Sequence, residues 1–238
     1  MKKLFLIVIA AFLFACSNNT DNDDNTDTLL LTKLIEVNDG NENVIEYTYN
    51  GNQLLELTNS AGLKTTYTYS NNKPSEVKVY DEDILVSKII ITYNDEGELS
   101  ETLNYRYLSP SPITINDIYT FNGNTYTVEN YVDDEFIRSY VYTLSDAGNI
   151  LKQESNLGII EYTYDEKKSP MSQIASADIL YLLFMQGGPN NILSTQSNIT
   201  GNNYSTSSSF TYNDEGYPET ETYTNSGTTT ERYYTYNN

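Results

Sequence analysis

Ile45-Glu46-Tyr47-Thr48-Tyr49-Asn50-Gly51-Asn52 is the stretch that decides the fold, because its pattern recurs along the chain. The copies are Tyr67-Thr68-Tyr69-Ser70-Asn71-Asn72, Ile91-Thr92-Tyr93-Asn94-Asp95-Glu96-Gly97, Tyr119-Thr120-Phe121-Asn122-Gly123-Asn124 and Tyr142-Thr143-Leu144-Ser145-Asp146-Ala147-Gly148. They continue with Tyr162-Thr163-Tyr164-Asp165-Glu166-Lys167, Phe210-Thr211-Tyr212-Asn213-Asp214-Glu215-Gly216 and Tyr234-Thr235-Tyr236-Asn237. The residue before each Asn, Asp or Ser falls at positions 49, 69, 93, 121, 144, 164, 212 and 236. Neighbouring positions lie 20–28 residues apart, except for one interval of 48 that reads as two units with a copy eroded or replaced. Self-similarity at a near-fixed period is the mark of a repeat architecture.

Each unit has a plain physical content. Asn-Gly and Asp-Glu-Gly supply the positive φ that tight hairpin turns demand. The flanking residues alternate with period two, the pattern of a half-buried strand. Ile45, Tyr47 and Tyr49 share one face, with Val44, Glu46 and Thr48 on the other. Leu99, Leu103, Tyr105 and Tyr107 read as one face of 99–107, and Ile160, Tyr162 and Tyr164 as one face of 159–164. A unit is therefore two short strands and two turns, and eight or nine units predict about 14–18 antiparallel strands. The expected fold is all-β: a long meander of Tyr-rich hairpins curled into a large barrel or coiled sheet. A two-layer β-sandwich is the alternative, since alternation reports one buried face and says nothing of closure.

Residues 170–193 break the pattern. Pro170-Met171-Ser172-Gln173 opens like a helix start with Ser172 as its cap, and Ile174, Ala177, Tyr181, Phe184 and Met185 follow at helical spacing. Gly187-Gly188-Pro189 then ends the run. One short helix is expected near 172–186, as a plug for the sheet core or as a mobile lid.

The Tyr-x-Tyr-Asn-x-x-Gly units resemble the YD-type repeats of large bacterial shell-forming proteins. More closely, the chain from about residue 30 to 238 resembles Bacteroidetes lipoproteins in a family of unknown function with a porin-like fold. The resemblance implies fold and location and brings no established activity. Those lipoproteins often carry a Pro-initiated insertion ending in Asn-Asn, which Pro189-Asn190-Asn191-Ile192 matches. An integral porin is disfavoured, because lipid-facing strand positions should be aliphatic and the tyrosines here run through the whole apolar face.

The amino terminus speaks to location. Met1-Lys2-Lys3 and the apolar run Leu4 to Ala15 fit a signal peptide over residues 1–15, too short to span a bilayer. Leu13-Phe14-Ala15-Cys16 resembles a lipobox, with Cys16 as the acylated first residue of the mature chain. Residues 16–28, rich in Asn, Asp and Thr, form an acidic tether with too little apolar surface to order, and 29–238 form the β-repeat domain. By resemblance to lipoprotein sorting rules, Ser17 favours the outer membrane and leaves its periplasmic or cell-surface face open. Asp27-Thr28-Leu29 also resembles a short O-glycosylation site.

Composition narrows the chemistry. Loss of Lys2 and Lys3 takes the formal charge from −20 to −22, which opposes nucleic acid and anionic lipid headgroups. There is no His, no Trp and one Cys, so zinc centres and Ser-His-Asp relays are excluded. No catalytic, cofactor-binding or metal-ligating residue emerges, and the membrane is met through the N-terminal lipid alone. Asn94-Asp95-Glu96-Gly97-Glu98 and Asn213-Asp214-Glu215-Gly216 superficially resemble calcium loops but lack the 12-residue ligand spread. Asp81-Glu82-Asp83 and Asp133-Asp134-Glu135 read as hairpin tips. The expectation is a non-catalytic binding or structural module for a glycan or an envelope protein, with a carboxylate-dependent glycan-active enzyme as the alternative.

Overall fold

The computed structural model of the chain describes residues 28–107, 111–184 and 187–237. The expected signal peptide, Cys16, the tether up to residue 27 and Met185 lie outside the described residues. The elements begin with β1 (Leu31–Asn38), β2 (Asn41–Asn50), β3 (Gln53–Asn59), β4 (Leu63–Ser70), β5 (Lys73–Asp81) and β6 (Ile84–Tyr93). They continue with β7 (Leu99–Arg106), β8 (Ile113–Asn122), β9 (Thr125–Val132), β10 (Glu135–Leu144), β11 (Ile150–Ser155) and β12 (Gly158–Lys168). Helix α1 (Ala177–Leu183) precedes β13 (Asn190–Ile199), β14 (Asn202–Tyr212), β15 (Pro218–Asn225) and β16 (Thr228–Tyr236).

Every strand pairs antiparallel with its sequence neighbours, and β1 pairs with β16, so the meander closes into a 16-strand barrel. The large-barrel expectation is met. The sandwich is corrected: two layers would leave open edges, whereas here one ladder returns to its start. All eight repeat anchors lie in the second half of even-numbered strands, so the connections that follow them gather at one end of the barrel. No copy is missing between 164 and 212. That interval holds an intact hairpin, β13 and β14, lengthened by the insertion, and β13 begins at Asn190, inside the expected 170–193 segment.

The repeat carries a feature that alternation conceals. In β1, β3, β5, β7, β11, β13 and β15 the register slips by one residue just after the turn, a β-bulge at the barrel rim. Two inward residues then stand three apart, as Leu54 and Leu57 do in β3. The first of each pair forms a buried ring: Leu31, Leu54, Pro74, Leu99, Ile150 and Pro218. Proline is tolerated at the start of a strand, where the ladder can spare an N–H. In four of the eight units the anchor tyrosine donates its hydroxyl to a carbonyl of this ring. Tyr49 reaches Leu31 O at 2.7 Å, Tyr93 reaches Pro74 O at 2.7 Å, Tyr164 reaches Ile150 O at 2.7 Å and Tyr236 reaches Pro218 O at 2.9 Å. The repeated tyrosine thus satisfies a backbone acceptor where the bulge interrupts the ladder.

The bulge also corrects the face reading of 99–107. Leu99 points inward, but past the bulge Thr102 pairs with inward Ile91 and is buried, while Leu103 pairs with the outward Ile90. Leu103 and Tyr105 therefore lie on the outer wall. That wall carries charge at mid-barrel, including Glu76 between Lys78 (2.5 Å) and Lys88 (3.0 Å), and Lys152 beside Glu154 (2.7 Å). Exposed apolar residues stand on the same wall, among them Ile90, Ile118 and Ile159.

Helix α1 is shorter than expected and starts later. Ser172 is not its cap: the Ser172 hydroxyl donates to Ser169 O at 2.9 Å within a turn. Ser176 occupies the cap position with φ 57° and makes no side-chain cap bond. The delay has a cause in the barrel, since Ile174 is already buried in the core and the Ala175 N–H is committed to Asn52 O at 2.8 Å. Ile179, Leu180 and Leu182 bury into the barrel among Leu54, Val77 and Tyr142. The insertion is fixed to the rim by Asn149 Nδ2 donating to Asn190 Oδ1 at 2.8 Å and by a Ser169–Tyr181 hydroxyl contact at 2.7 Å. It is a plug.

Leu180 is 4% exposed. Leu180→Ala is expected to cost about 2–5 kcal/mol in urea unfolding. Leu193→Ala, on the outer wall, is expected to stay within about 0.5 kcal/mol. Equal effects of the two would contradict the plug.

Candidate functional site

The barrel interior is unevenly filled. From β3 to β12 the inward residues are bulky (Leu54, Tyr67, Val77, Ile91, Tyr119, Tyr142) and pack against the plug. On β13 and β14 they shrink: Thr195, Ser197, Thr206 and Ser208 are inward, and Ser197 is 1% exposed. Small side chains on one arc of a wide barrel leave space. The result is a chamber of about 600 Å³, floored by Met171, Ile174, Leu180 and Tyr181 of the insertion and walled by tyrosines from both arcs.

A second hollow of about 660 Å³ lies at the unplugged end, lined by Asn38, Asn202, Asn225, Thr228 and Thr230. Tyr204 and Tyr223 line both spaces. They form the throat between an amide-rich mouth and the inner chamber. The whole is a cup, closed by helix α1 and open at the opposite rim.

One ionic cluster stands in the wall, across the seam where β1 meets β16. Arg232 Nε donates to Glu36 Oε1 at 2.9 Å and Arg232 Nη1 to Glu221 Oε2 at 3.2 Å. Glu221, 5% exposed, also accepts from Ser208 Oγ at 2.6 Å and from Tyr234 OH at 2.5 Å. Glu36 accepts a further bond from Asn43 Nδ2 at 3.2 Å. Arg232 lies 4.8 Å from the Tyr223 ring centre, a cation–π contact that sets the throat ring. Burial works against the Arg232 charge, but Glu221, Tyr234 and Glu36 outweigh it and raise its pKa. Burial, then Glu221, push the Tyr234 hydroxyl up. Both carboxylates point their oxygens at donors of the wall itself, an arrangement that braces the seam rather than one that passes protons to a substrate.

A second polar group lies where the end of β12 meets the start of β13. Asp165 accepts from the Asn191 N–H at 3.0 Å, from Asn191 Nδ2 at 3.0 Å and from the Tyr212 hydroxyl. Asn191 Nδ2 also donates to Lys168 O at 3.1 Å. Two acceptors on one side fix the amide orientation, so Oδ1 is the other terminus. Asn191 lines the chamber, is 3% exposed, and its Oδ1 has no hydrogen-bond partner among the described residues.

The acidic turns weighed as calcium loops are hairpin turns of one design. Asn94 Oδ1 accepts the Glu98 N–H at 2.8 Å and Asn213 Oδ1 accepts the Tyr217 N–H at 2.9 Å, while Asp95, Glu96, Asp214 and Glu215 are exposed. Among the described residues no group of three or more His, Cys, Asp or Glu gathers where it could hold a metal ion. Glu82-Asp83 and Asp133-Asp134 have positive φ at both positions, as two-residue hairpin tips require. The chamber residues were not foreseen from sequence. Their signal is the run Ser194-Thr195-Gln196-Ser197-Asn198 with Tyr204-Ser205-Thr206-Ser207-Ser208-Ser209, polar at both parities where other units alternate.

No protein-family model matches the chain, and no curated protein matches it. The likeness to YD-type repeats therefore rests on the quoted motifs alone. Among solved structures the chain is similar to a porin-like protein from Bacteroides uniformis. The identity is 16% and the TM-score 0.38, over 83% of this chain and 78% of that one.

Replacing Arg232 by Met should cost on the order of 3 kcal/mol, because it strands two carboxylates in the wall. In a thermodynamic cycle with Glu221→Gln, the coupling between the two changes should exceed about 1 kcal/mol. Additive costs would show that the seam cluster is not a unit.

Alkaline pH provides a separate test. Burial pushes the Tyr162 and Tyr181 hydroxyls up to about 12. Their folded-state values lie above the unfolded value of about 10, so the native state holds these protons more tightly. Their contribution to stability is complete below about pH 10 and is lost as pH rises toward about 12. The urea midpoint should fall over that window, in step with the rise of tyrosinate absorbance. A midpoint that holds steady while tyrosinate appears near pH 10 would contradict the burial.

Proposed function

We propose that this protein is a lipid-anchored envelope protein of the outer membrane whose barrel is a non-catalytic binding cup. The observation that carries the reading is the chamber itself: an internal space of about 600 Å³, closed at one end by helix α1 and reached through the Tyr204–Tyr223 throat. Spaces of that size, apolar-walled with a few placed polar groups, are what small-ligand sites look like. The charged outer wall supports a barrel that stands in water rather than in lipid. The Leu13-Phe14-Ala15-Cys16 motif supports attachment through a lipid on Cys16.

The two ends of the cup have different surroundings in this reading. Leu30 N–H donates to Asn237 Oδ1 at 2.5 Å, and Asn237 N–H donates to Leu30 O at 3.0 Å. Both chain ends therefore leave from the plugged rim, and the tether joins there. The carboxylate-dependent glycan-active enzyme has less support, because Glu36 and Glu221 are tied to one arginine.

Cells making the full chain should incorporate labelled palmitate into it, and Cys16→Ala should abolish the label and release the protein from the membrane fraction. Purified barrel should take up the neutral fluorophore N-phenyl-1-naphthylamine with a Kd below about 100 μM. Widening no space and narrowing one, Thr206→Phe should cut that affinity at least tenfold at unchanged melting temperature. Retention of Cys16→Ala at the membrane would overturn the anchor; indifference of the fluorophore to Thr206→Phe would overturn the cup.

A further inference from the structure

The chamber, its throat and its mouth have a shared chemistry that names a ligand class. We propose that the cup binds the end of a short neutral oligosaccharide, a reading that rests on the barrel being a binding cup. Four features of the molecule converge on it.

The first is the mouth. Asn38, Asn202 and Asn225 place primary amides around the entrance, with Thr228 and Thr230 beside them. An amide offers two donors and an acceptor with two lone pairs, and a threonine hydroxyl both donates and accepts. Adjacent sugar hydroxyls are also both donors and acceptors, so such a rim can pair with them whichever way they rotate. A lipid tail would gain nothing there, and desolvating three amides without a partner would cost it.

The second is the throat. Tyr204 and Tyr223 present flat apolar faces with a hydroxyl at the edge, the same amphipathic division that a pyranose ring shows between its C–H face and its hydroxyl edge. The Tyr223 ring is held by Arg232 at 4.8 Å and so is pre-set before a ligand arrives.

The third is the inner wall. Thr195 and Thr206 line the chamber with hydroxyls. A hydroxyl can both donate to and accept from a sugar hydroxyl, and a hydrocarbon offers it neither.

The fourth is charge. Arg232 is the cation of the chamber wall, and it is already held by Glu36 and Glu221, so the cluster as a whole bears one negative charge in excess. The chain carries −20 overall. A uronic acid, a sialic acid or a phosphorylated sugar would meet repulsion and no free cation. A neutral glycan meets neither.

The test is calorimetry on the purified barrel with maltotriose, cellotriose, mannotriose and trigalacturonate, beside N-phenyl-1-naphthylamine as a probe of the empty space. At least one neutral trisaccharide should bind with a Kd below about 1 mM, and trigalacturonate at least tenfold more weakly. Asn225→Ala, a change at an exposed rim residue, and Tyr204→Ala should each weaken that sugar tenfold or more, about 1.4 kcal/mol. Far-ultraviolet circular dichroism checks that both variants are folded, and the naphthylamine should still enter Asn225→Ala. Preference for trigalacturonate, or sugar binding untouched by both variants, would overturn the proposal. If the fluorophore binds and no neutral trisaccharide does, the glycan is wrong and the cup stands. If neither binds, both readings fall.

Discussion

A meander of sixteen strands has two unpaired edges, and the rest of this structure depends on β1 and β16 finding each other. Exposed edges invite other chains, and a closed barrel has none. The partners lie far apart in the sequence, with Glu36 and Arg232 separated by 196 positions. Register at the seam is set by Leu34 opposite Tyr234 and Glu36 opposite Arg232, and a slip of one residue would turn every inward side chain outward. The Glu36–Arg232–Glu221 cluster lies on these strands and on β15. Isolated buried ion pairs are weak sources of stability, but a pair that can form in only one alignment suits a seam that must close in only one way.

Closure at sixteen strands brings a problem of volume. Small barrels are filled by ordinary side chains, while those of sixteen strands or more leave a channel. The chain meets this with large inward residues and an inserted helix. Its inward tyrosines act as filler with a polar tip: the ring occupies space, and at the bulged rim the hydroxyl finds a carbonyl, as in Tyr49 to Leu31 and Tyr93 to Pro74. Where the chain switches to Ser197, Thr206 and Ser208 the filling stops, and the chamber is what remains. The outer wall carries charge, as at Glu76, Lys78 and Lys88, beside exposed apolar residues such as Ile90, Ile118 and Ile159.

Much of the fold was legible before any coordinates. The Tyr-x-Tyr-Asn units announce the even strands and their turns, and the insertion announces a short helix, because both are local patterns repeated against a constant background. Leu103 and Tyr105 were misread because a bulge at the strand start shifts parity without leaving a residue type of its own. Ser172 was misread as a cap because tertiary contacts at Ile174 and Ala175 overrode a local helix-start signal. The site was barely legible. Its residues come from β1 to β4, from β12 to β16 and from the insertion, and individually Thr206, Tyr223 or Asn191 look like any other polar or aromatic strand residue.

What the sequence by itself determined is what short-range chemistry can encode: turn positions through Asn-Gly and Asp-Glu-Gly, strand count through the repeat, and one helix where alternation fails. Tertiary structure alone decided that the sheet closes, which faces point inward beyond each bulge, and that the helix seals one end. It alone brought Asn38 beside Asn225, and Glu36 beside Glu221, from strands far apart in the chain. The reason is physical. A hairpin is stabilised by residues within one unit, whereas a chamber is the space left between units, and no single stretch of chain contains it.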